Sequence, residues 1–144
     1  MRKQTAILLQ RLFYRHQEKK TPFRCIRSGF KALLAMTCLA SIGYFSELPL
    51  LIAPFGASCM LIFTSPSDPY SQPANIIGGY TVAILVSAVL AHILPYDWWN
   101  IGLMLAVTIS AMAFLRVTHP PCGAVPLLYH FNETLVHSNI IITI

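Results

Sequence analysis

The sequence has few charged residues and very few acidic ones. Only 10% of the 144 residues are charged, five are acidic, and 56% are hydrophobic. A soluble domain usually carries about 25% charged residues, so this composition argues against a water-soluble globular protein and predicts an integral membrane protein. At about 20 residues per span, the chain has room for about four spans and little else.

The sequence also lacks the motifs of common catalytic and metal-binding sites. It contains no Gly-x-Ser-x-Gly, no phosphate-binding loop and no His-Glu-x-x-His. The four cysteines form no Cys-x-x-Cys pair, and the five histidines show no metal-ligand spacing. We therefore expect no enzymatic activity, no cofactor and no metal ion.

Positive charge is concentrated at the N-terminus. Of the ten basic residues, all but Arg116 precede residue 32, which predicts a cytoplasmic N-terminus and makes nucleic-acid binding implausible. Residues 1–27 are predicted to be a basic cytoplasmic segment and residues 28–144 a transmembrane domain. The segment has three interpretations: a basic helix on an anionic membrane surface, a solvated tail that only sets topology, and an organellar transit peptide.

Four apolar runs predict an all-α polytopic membrane protein with about four spans. The runs cover residues 29–45, 48–63, 75–94 and 100–117. The second is short and contains Pro54 and Gly56, so it predicts a short or broken membrane helix. From a cytoplasmic start, residues 65–74 and Arg116 fall inside, and residues 95–99 outside.

A short apolar piece follows the fourth run, and it repeats a motif of the short second run. Pro54-x-Gly56-Ala57 and Pro121-x-Gly123-Ala124 are each followed by a leucine four residues after the alanine. Interrupted segments of opposite direction in the two halves are typical of inverted-repeat transporters. Coincidence between common membrane residues is the alternative.

These two pieces supply the predicted binding site for a small anion. If a helix begins within the membrane after each motif, its free N–H groups and dipole favour an anion near the midplane. Gly56 and Gly123 would allow close approach to the backbone, and Ser58 would add a donor. The alternative is a purely structural role. The prolines and glycines then only kink helices, Arg116 extends to the membrane interface, and His119 donates a hydrogen bond to a backbone carbonyl that the kink leaves unpaired. The candidate residues are Pro54, Gly56, Ala57, Ser58, Arg116, His119, Pro120, Pro121, Gly123 and Ala124.

Four segments carry a resemblance to a known family. They are residues 50–58 (LLIAPFGAS), 72–75 (QPAN), 77–79 (IGG) and 119–124 (HPPCGA). The order and approximate spacing of these segments are those of a known family. The chain resembles the HPP-type integral membrane proteins over roughly residues 25 to 135. The resemblance implies a small transmembrane domain of about four helices and, because some plant-plastid members are implicated in nitrite transport, a transport role.

The chain departs from the family pattern in two places. Family members usually have a closing hydrophobic helix, whereas this chain stops at Ile144, so we expect a C-terminally truncated domain. Cys122 stands where the family tends to have a small residue, and Val125-Pro126 replaces a Thr-rich continuation.

The function predicted from the sequence is a transporter or channel for a small anion such as nitrite. The alternatives are a structural or regulatory membrane subunit that does not transport, and an inactive truncated family member. The expected partners are the lipid bilayer, a small anion and further copies of the chain, because so few helices hardly enclose a pathway alone. The expected location is the bacterial inner membrane.

The charge distribution generates a topology prediction. Reporter fusions after residues 20, 70 and 118 should report the cytoplasm, and a fusion after residue 97 the opposite face, because basic residues are retained on the cytoplasmic side. Paired alkaline phosphatase and fluorescent-protein reporters measure both outcomes. A cytoplasmic signal at residue 97 would contradict the span count.

Overall fold

A computed structural model describes residues 19–47, 53–95 and 97–130 of the chain. The described part contains helices and no strands, so the predicted all-α class is confirmed there. Its α-helices are α1 (Pro22–Ser46), α2 (Ala53–Thr64), α3 (Pro73–Ile93) and α4 (Asn100–Phe114), and short 3-10 helices cover Pro69–Ser71 and Pro120–Ala124. Residues 125–130 are again helical.

Proline residues mark the starts of the two long helices. Pro22 and Pro73 stand in the first turn of α1 and α3, where the missing N–H costs no hydrogen bond. Between α2 and α3, the Asp68 carboxylate accepts a hydrogen bond from the Tyr70 N–H at 2.9 Å and so caps the Pro69–Ser71 turn. Residues 65–72, which lie between the second and third apolar runs, thus form a connection with one short turn inside it.

Helix α4 ends in a Schellman motif that has arginine at the left-handed position. Arg116 has φ 57°, its N–H bonds to Ala113 O at 3.2 Å, and the Val117 N–H bonds to Met112 O at 3.0 Å. Glycine usually occupies this position because a Cβ is disfavoured there. The motif turns the chain back toward α3.

Two of the four α-helices are long and apolar enough to cross a membrane. They are α1 with 25 residues and α3 with 21 residues. Helix α2 has 12 residues, as expected for a short segment, but α4 has only 15 because the chain turns at Arg116. Four full spans are therefore not obtained in the described part. Helix α1 also begins earlier than residue 29, so the predicted domain boundary after residue 27 falls inside it.

Helices α3 and α4 pack against each other, and each carries a stripe of buried residues spaced four apart. On α3 the stripe consists of small residues, which let helix backbones approach closely in membranes. They are Gly79, Ala83 and Ser87. The stripe of α4 consists of Asn100, Met104, Thr108 and Met112. Ala83 and Met112 form the core together with Cys122 and Val125 from the segment after α4.

Helix α1 packs on α2 through its polar start. Ser28 Oγ donates to Phe63 O at 2.8 Å, and Lys20 Nζ donates to Thr64 O. The start of α1 therefore lies beside the end of α2. No residue of α1 is fully buried, and many of its large apolar side chains are exposed, as expected for a helix surrounded by lipid or by other subunits.

Three segments predicted to be cytoplasmic lie at one end of the helices. The Lys20–Thr64 bond places the start of α1 there, and a hydrogen bond from His119 to Tyr70 O joins the segment after α4 to the loop of residues 65–72. The grouping agrees with the predicted topology. The side of the membrane on which this end lies stays a prediction.

Candidate functional site

The His119 imidazole is completely buried, and both of its nitrogens are hydrogen-bonded. Its exposed fraction is 0%; Nδ1 lies 2.6 Å from Tyr70 O, and Nε2 lies 2.8 Å from Ser58 Oγ. A carbonyl oxygen only accepts, so Nδ1 carries a proton and donates to Tyr70 O. In the neutral ring Nε2 is then an acceptor, and Ser58 donates to it.

The network continues from Ser58 to the hydroxyl of Tyr80. Tyr80 Oη lies 2.9 Å from Ser58 Oγ. Because the Ser58 proton is directed to His119, Tyr80 donates to Ser58. The half-buried Tyr80 ring packs against Phe55, with ring centroids 5.4 Å apart, and against the His119 ring at 5.8 Å. Tyr80, Ser58, His119 and the Tyr70 carbonyl therefore form one directional chain of hydrogen bonds, called here the His119 network.

Two adjacent glycines on α3 allow the His119 segment to approach this helix closely. A Cβ on Gly79 would lie 2.9 Å from His119 Cβ and 3.0 Å from Val117 O. A Cβ on Gly78 would lie 2.7 Å from Val117 Cγ1. All three distances are shorter than ordinary contacts, so glycine is needed at both positions for packing.

The His119 network begins at the end of the helices and extends a short way inward. Tyr70 belongs to the loop, and Tyr80 follows Pro73 on α3 by two helical turns, which is a depth of about 10 Å at 1.5 Å per residue. The network lies nearer to this end of α3 than to its other end, because the Schellman turn returns the chain before α4 reaches the length of a full span. The expected position near the membrane midplane stays a prediction.

The structure brings the two predicted motifs together. Helix α2 packs against the Pro120–Ala124 turn, and the bond between Ser58 and His119 joins them. The candidates fall into three groups by exposure. Pro54, Ser58, His119 and Pro121 are buried; Gly56, Gly123 and Ala124 are partly buried; Ala57, Arg116 and Pro120 are exposed.

The prediction that a helix begins after each motif holds for the second motif, where residues 125–130 are helical, and is wrong for the first. Helix α2 already contains Pro54 and Gly56, because proline is tolerated in a first turn. The second motif lies within the 3-10 helix that starts at Pro120. Two prolines there lack N–H groups, and the Cys122 N–H is bonded to His119 O at 3.0 Å. This turn offers few free backbone donors to an anion.

Gly56 and Gly123 are not required by the packing of the described residues. No heavy atom lies within 4 Å of a Cβ built on Gly56, and Gly123 would meet only Leu105 Cδ1 at 3.6 Å. Their predicted role concerned a ligand and stays a prediction. Arg116 is exposed and has the turn position described above, so it lies outside the His119 network.

Sequence reasoning missed Tyr80, the Tyr70 carbonyl and the role of Gly79. The spacing of Gly79, Ala83 and Ser87 is a signal for close helix packing that the sequence did contain. Nothing in the sequence distinguishes Tyr80 from other membrane aromatics, and a backbone acceptor such as Tyr70 O has no sequence signal.

Comparison with known proteins identifies the family. The family model described as "HPP, transmembrane region" matches residues 17–144. The chain belongs to the HPP transmembrane family. This HPP chain is therefore a transmembrane protein, and the family resemblance drawn from the motifs is confirmed.

Two Dictyostelium discoideum relatives of this HPP chain are named only as transmembrane proteins. One is 33% identical over 87 residues, covering 58% of this chain and 30% of the relative. The other is 34% identical over 82 residues, covering 54% of this chain and 26% of the relative. The chain thus matches less than a third of each relative's length. No solved structure matches it.

Replacing Gly79 by alanine should destabilise the HPP domain. The added methyl overlaps with His119 Cβ and the Val117 carbonyl, and overpacking of this kind costs about 1–3 kcal/mol. Thermal unfolding of the purified chain in detergent measures the loss. The control is Gly102→Ala on α4, where a Cβ meets nothing within 4 Å. Equal melting temperatures for the two variants would contradict the close packing at Gly79.

Proposed function

We propose that this HPP chain transports a small monovalent anion together with a proton. The observation that carries the proposal is the buried His119 ring, bonded through both nitrogens and connected to Tyr80 through Ser58. An ionisable side chain within a transmembrane domain is costly and usually serves transport or proton transfer. The site is built where two Pro/Gly-interrupted segments meet, as in many transporters.

Protonation of His119 reverses the direction of the network. When Nε2 gains a proton it donates to Ser58 Oγ, and Ser58 then accepts where it donated before. Ser58 in turn donates its proton to Tyr80 Oη, and the Tyr80 O–H is released to donate to an anion at the outer end of the network. The positive ring adds an attraction for that anion, and binding of the anion in turn favours the protonated ring.

Nitrite is the substrate proposed on the basis of the family resemblance. Its single charge matches one protonated histidine, and one of its oxygens can accept the hydrogen bond of the released Tyr80 hydroxyl. The proposal shifts the site predicted from sequence toward side-chain donors and away from helix N-termini. A non-transporting subunit and an inactive truncated member are the alternatives.

We also propose that the chain works as a homo-oligomer. None of the residues of α1 is buried, and large apolar side chains on it are exposed, for example Phe30 at 58% and Phe45 at 84%. A second copy would cover part of this surface and help to enclose a pathway. Four spans with a cytoplasmic N-terminus and a bacterial inner membrane location stay predictions; the relatives named above come from Dictyostelium discoideum.

The pair of Ser58 and His119 also suggests a hydrolase as a second candidate. A serine bonded to an imidazole that a third group orients is the arrangement of an activated nucleophile. We propose that no such activity is present, because Ser58 is only 5% exposed and its oxygen is also bonded by Tyr80. A fluorophosphonate probe should therefore leave Ser58 unlabelled in the detergent-solubilised chain. Labelling that Ser58→Ala abolishes would instead support a hydrolase.

The transport proposal is tested by nitrite uptake into proteoliposomes that contain the full chain. Tyr80→Phe should lower the uptake rate roughly tenfold, because a hydrogen bond to a charged group contributes about 1.5–3 kcal/mol. His119→Gln, which retains a polar amide but does not titrate, should remove the acceleration by an inward proton gradient.

Tyr70→Phe is the matched control for Tyr80→Phe. It deletes the same hydroxyl from a side chain that is 45% exposed and keeps the backbone carbonyl that His119 uses. Its uptake rate should equal that of the unsubstituted chain. Equal rates for Tyr80→Phe and Tyr70→Phe would contradict a role of the network in transport, and absence of uptake by the unsubstituted chain would favour the two alternatives.

A further inference from the structure

A second polar feature lies on the same end of the helices, separate from the His119 network. It is a cavity of about 620 Å³ between the start of α1 and the segment that follows α2. Four basic side chains line one wall. They are Lys20, Arg24, Arg27 and Lys31. Their spacing of three or four residues places them on one side of the chain entering and forming α1.

The opposite wall is formed by hydroxyl groups and one carboxylate. Thr64, Ser65, Ser67 and Asp68 line it. The Asp68 carboxylate is occupied as the cap of the following turn, where it accepts from the Tyr70 N–H. The described lining therefore has four cations against one anion. The Thr64 hydroxyl donates to Met60 O, so the hydroxyl donors of this wall are Ser65 and Ser67. This combination is suited to a phosphate group.

Apolar groups adjoin the cations on the same helix. Phe23, Ile26 and Phe30 are exposed at 73%, 72% and 58%, and each precedes one of the lining cations by one position. Phe63 forms part of the cavity wall. A soluble inorganic anion gains nothing from exposed aromatic and aliphatic side chains, whereas the acyl chains of a lipid pack against them.

We propose that this cavity binds the phosphate headgroup of an anionic phospholipid. The lipid phosphate lies among the four cations and the hydroxyl groups, and its acyl chains extend along the Phe23, Ile26 and Phe30 side of α1. Basic pockets between transmembrane helices at a membrane face bind anionic headgroups in this way. The proposal does not rest on the proposed transport, because none of the lining side chains belongs to the His119 network.

The bonds between α1 and α2 explain why the cavity is a defined site and more than a stretch of positive charge. Ser28 Oγ donates to Phe63 O at 2.8 Å, and Lys20 Nζ donates to Thr64 O. These contacts hold the cations against the loop. If the basic residues only set topology, they would need no such opposing wall.

The experiment measures binding of acyl-labelled phosphatidylglycerol to the full chain in a neutral detergent. Neutralising two cations in Arg24→Gln/Arg27→Gln should weaken binding roughly thirtyfold, since each basic residue near an anionic lipid contributes about 1 kcal/mol. Lys19→Gln/Arg116→Gln is the matched control, because it removes the same charge from two exposed positions that do not line the cavity. Its affinity should change less than about threefold, as for exposed charges in general.

Further arms separate misfolding and other ligands from the proposed site. Arg24→Lys/Arg27→Lys keeps both charges and should retain binding within a few-fold. Unlabelled phosphatidylglycerol should displace the label, whereas phosphatidylcholine and inorganic phosphate at the same concentration should not. Displacement by inorganic phosphate as effective as by the lipid would overturn the lipid assignment. Equal losses in the cavity pair and the control pair, or unchanged binding in the cavity pair, would overturn the site itself.

Discussion

The two hydrogen bonds of the His119 imidazole are the interaction on which the described part of the fold depends. Nδ1 holds the loop through Tyr70 O, and Nε2 holds α2 through Ser58. The backbone of the same segment lies against α3 at Gly79. A single side chain thus connects three parts of the molecule, and because the ring is completely buried, neither nitrogen has water to replace a lost partner.

The packing of small residues makes this connection geometrically feasible. Gly78 and Gly79 let the segment after α4 lie directly on α3, and the Schellman turn at Arg116 directs it there. The turn also limits α4 to 15 residues. A shorter fourth helix and a His119 network near one end of the helices are therefore two results of the same local geometry.

The sequence predicted the helical elements better than it predicted the site. Composition and run length anticipated the all-α class, the short α2 and the loop before Pro73, because hydropathy and proline act locally. The pairing of Ser58 with His119 depends on how α2 meets the segment after α4, which no local pattern specifies. The two motifs were expected to meet over a bound anion; they meet instead through a serine, a histidine and a tyrosine. Arg116 was predicted either to bind the anion or to extend to the membrane interface. Its backbone φ of 57° could not be predicted, because arginine rarely adopts this conformation.

The loop between α2 and α3 contacts both the basic cavity and the His119 network. Its residue Asp68 lines the basic cavity and caps the turn through the Tyr70 N–H, while the carbonyl of the same Tyr70 fixes the tautomer of His119. The backbone of one residue, Tyr70, therefore lies between the two polar features. Any ligand that moves this loop changes the free energy of the imidazole tautomers, and by reciprocity the protonation state of the ring changes the affinity for that ligand.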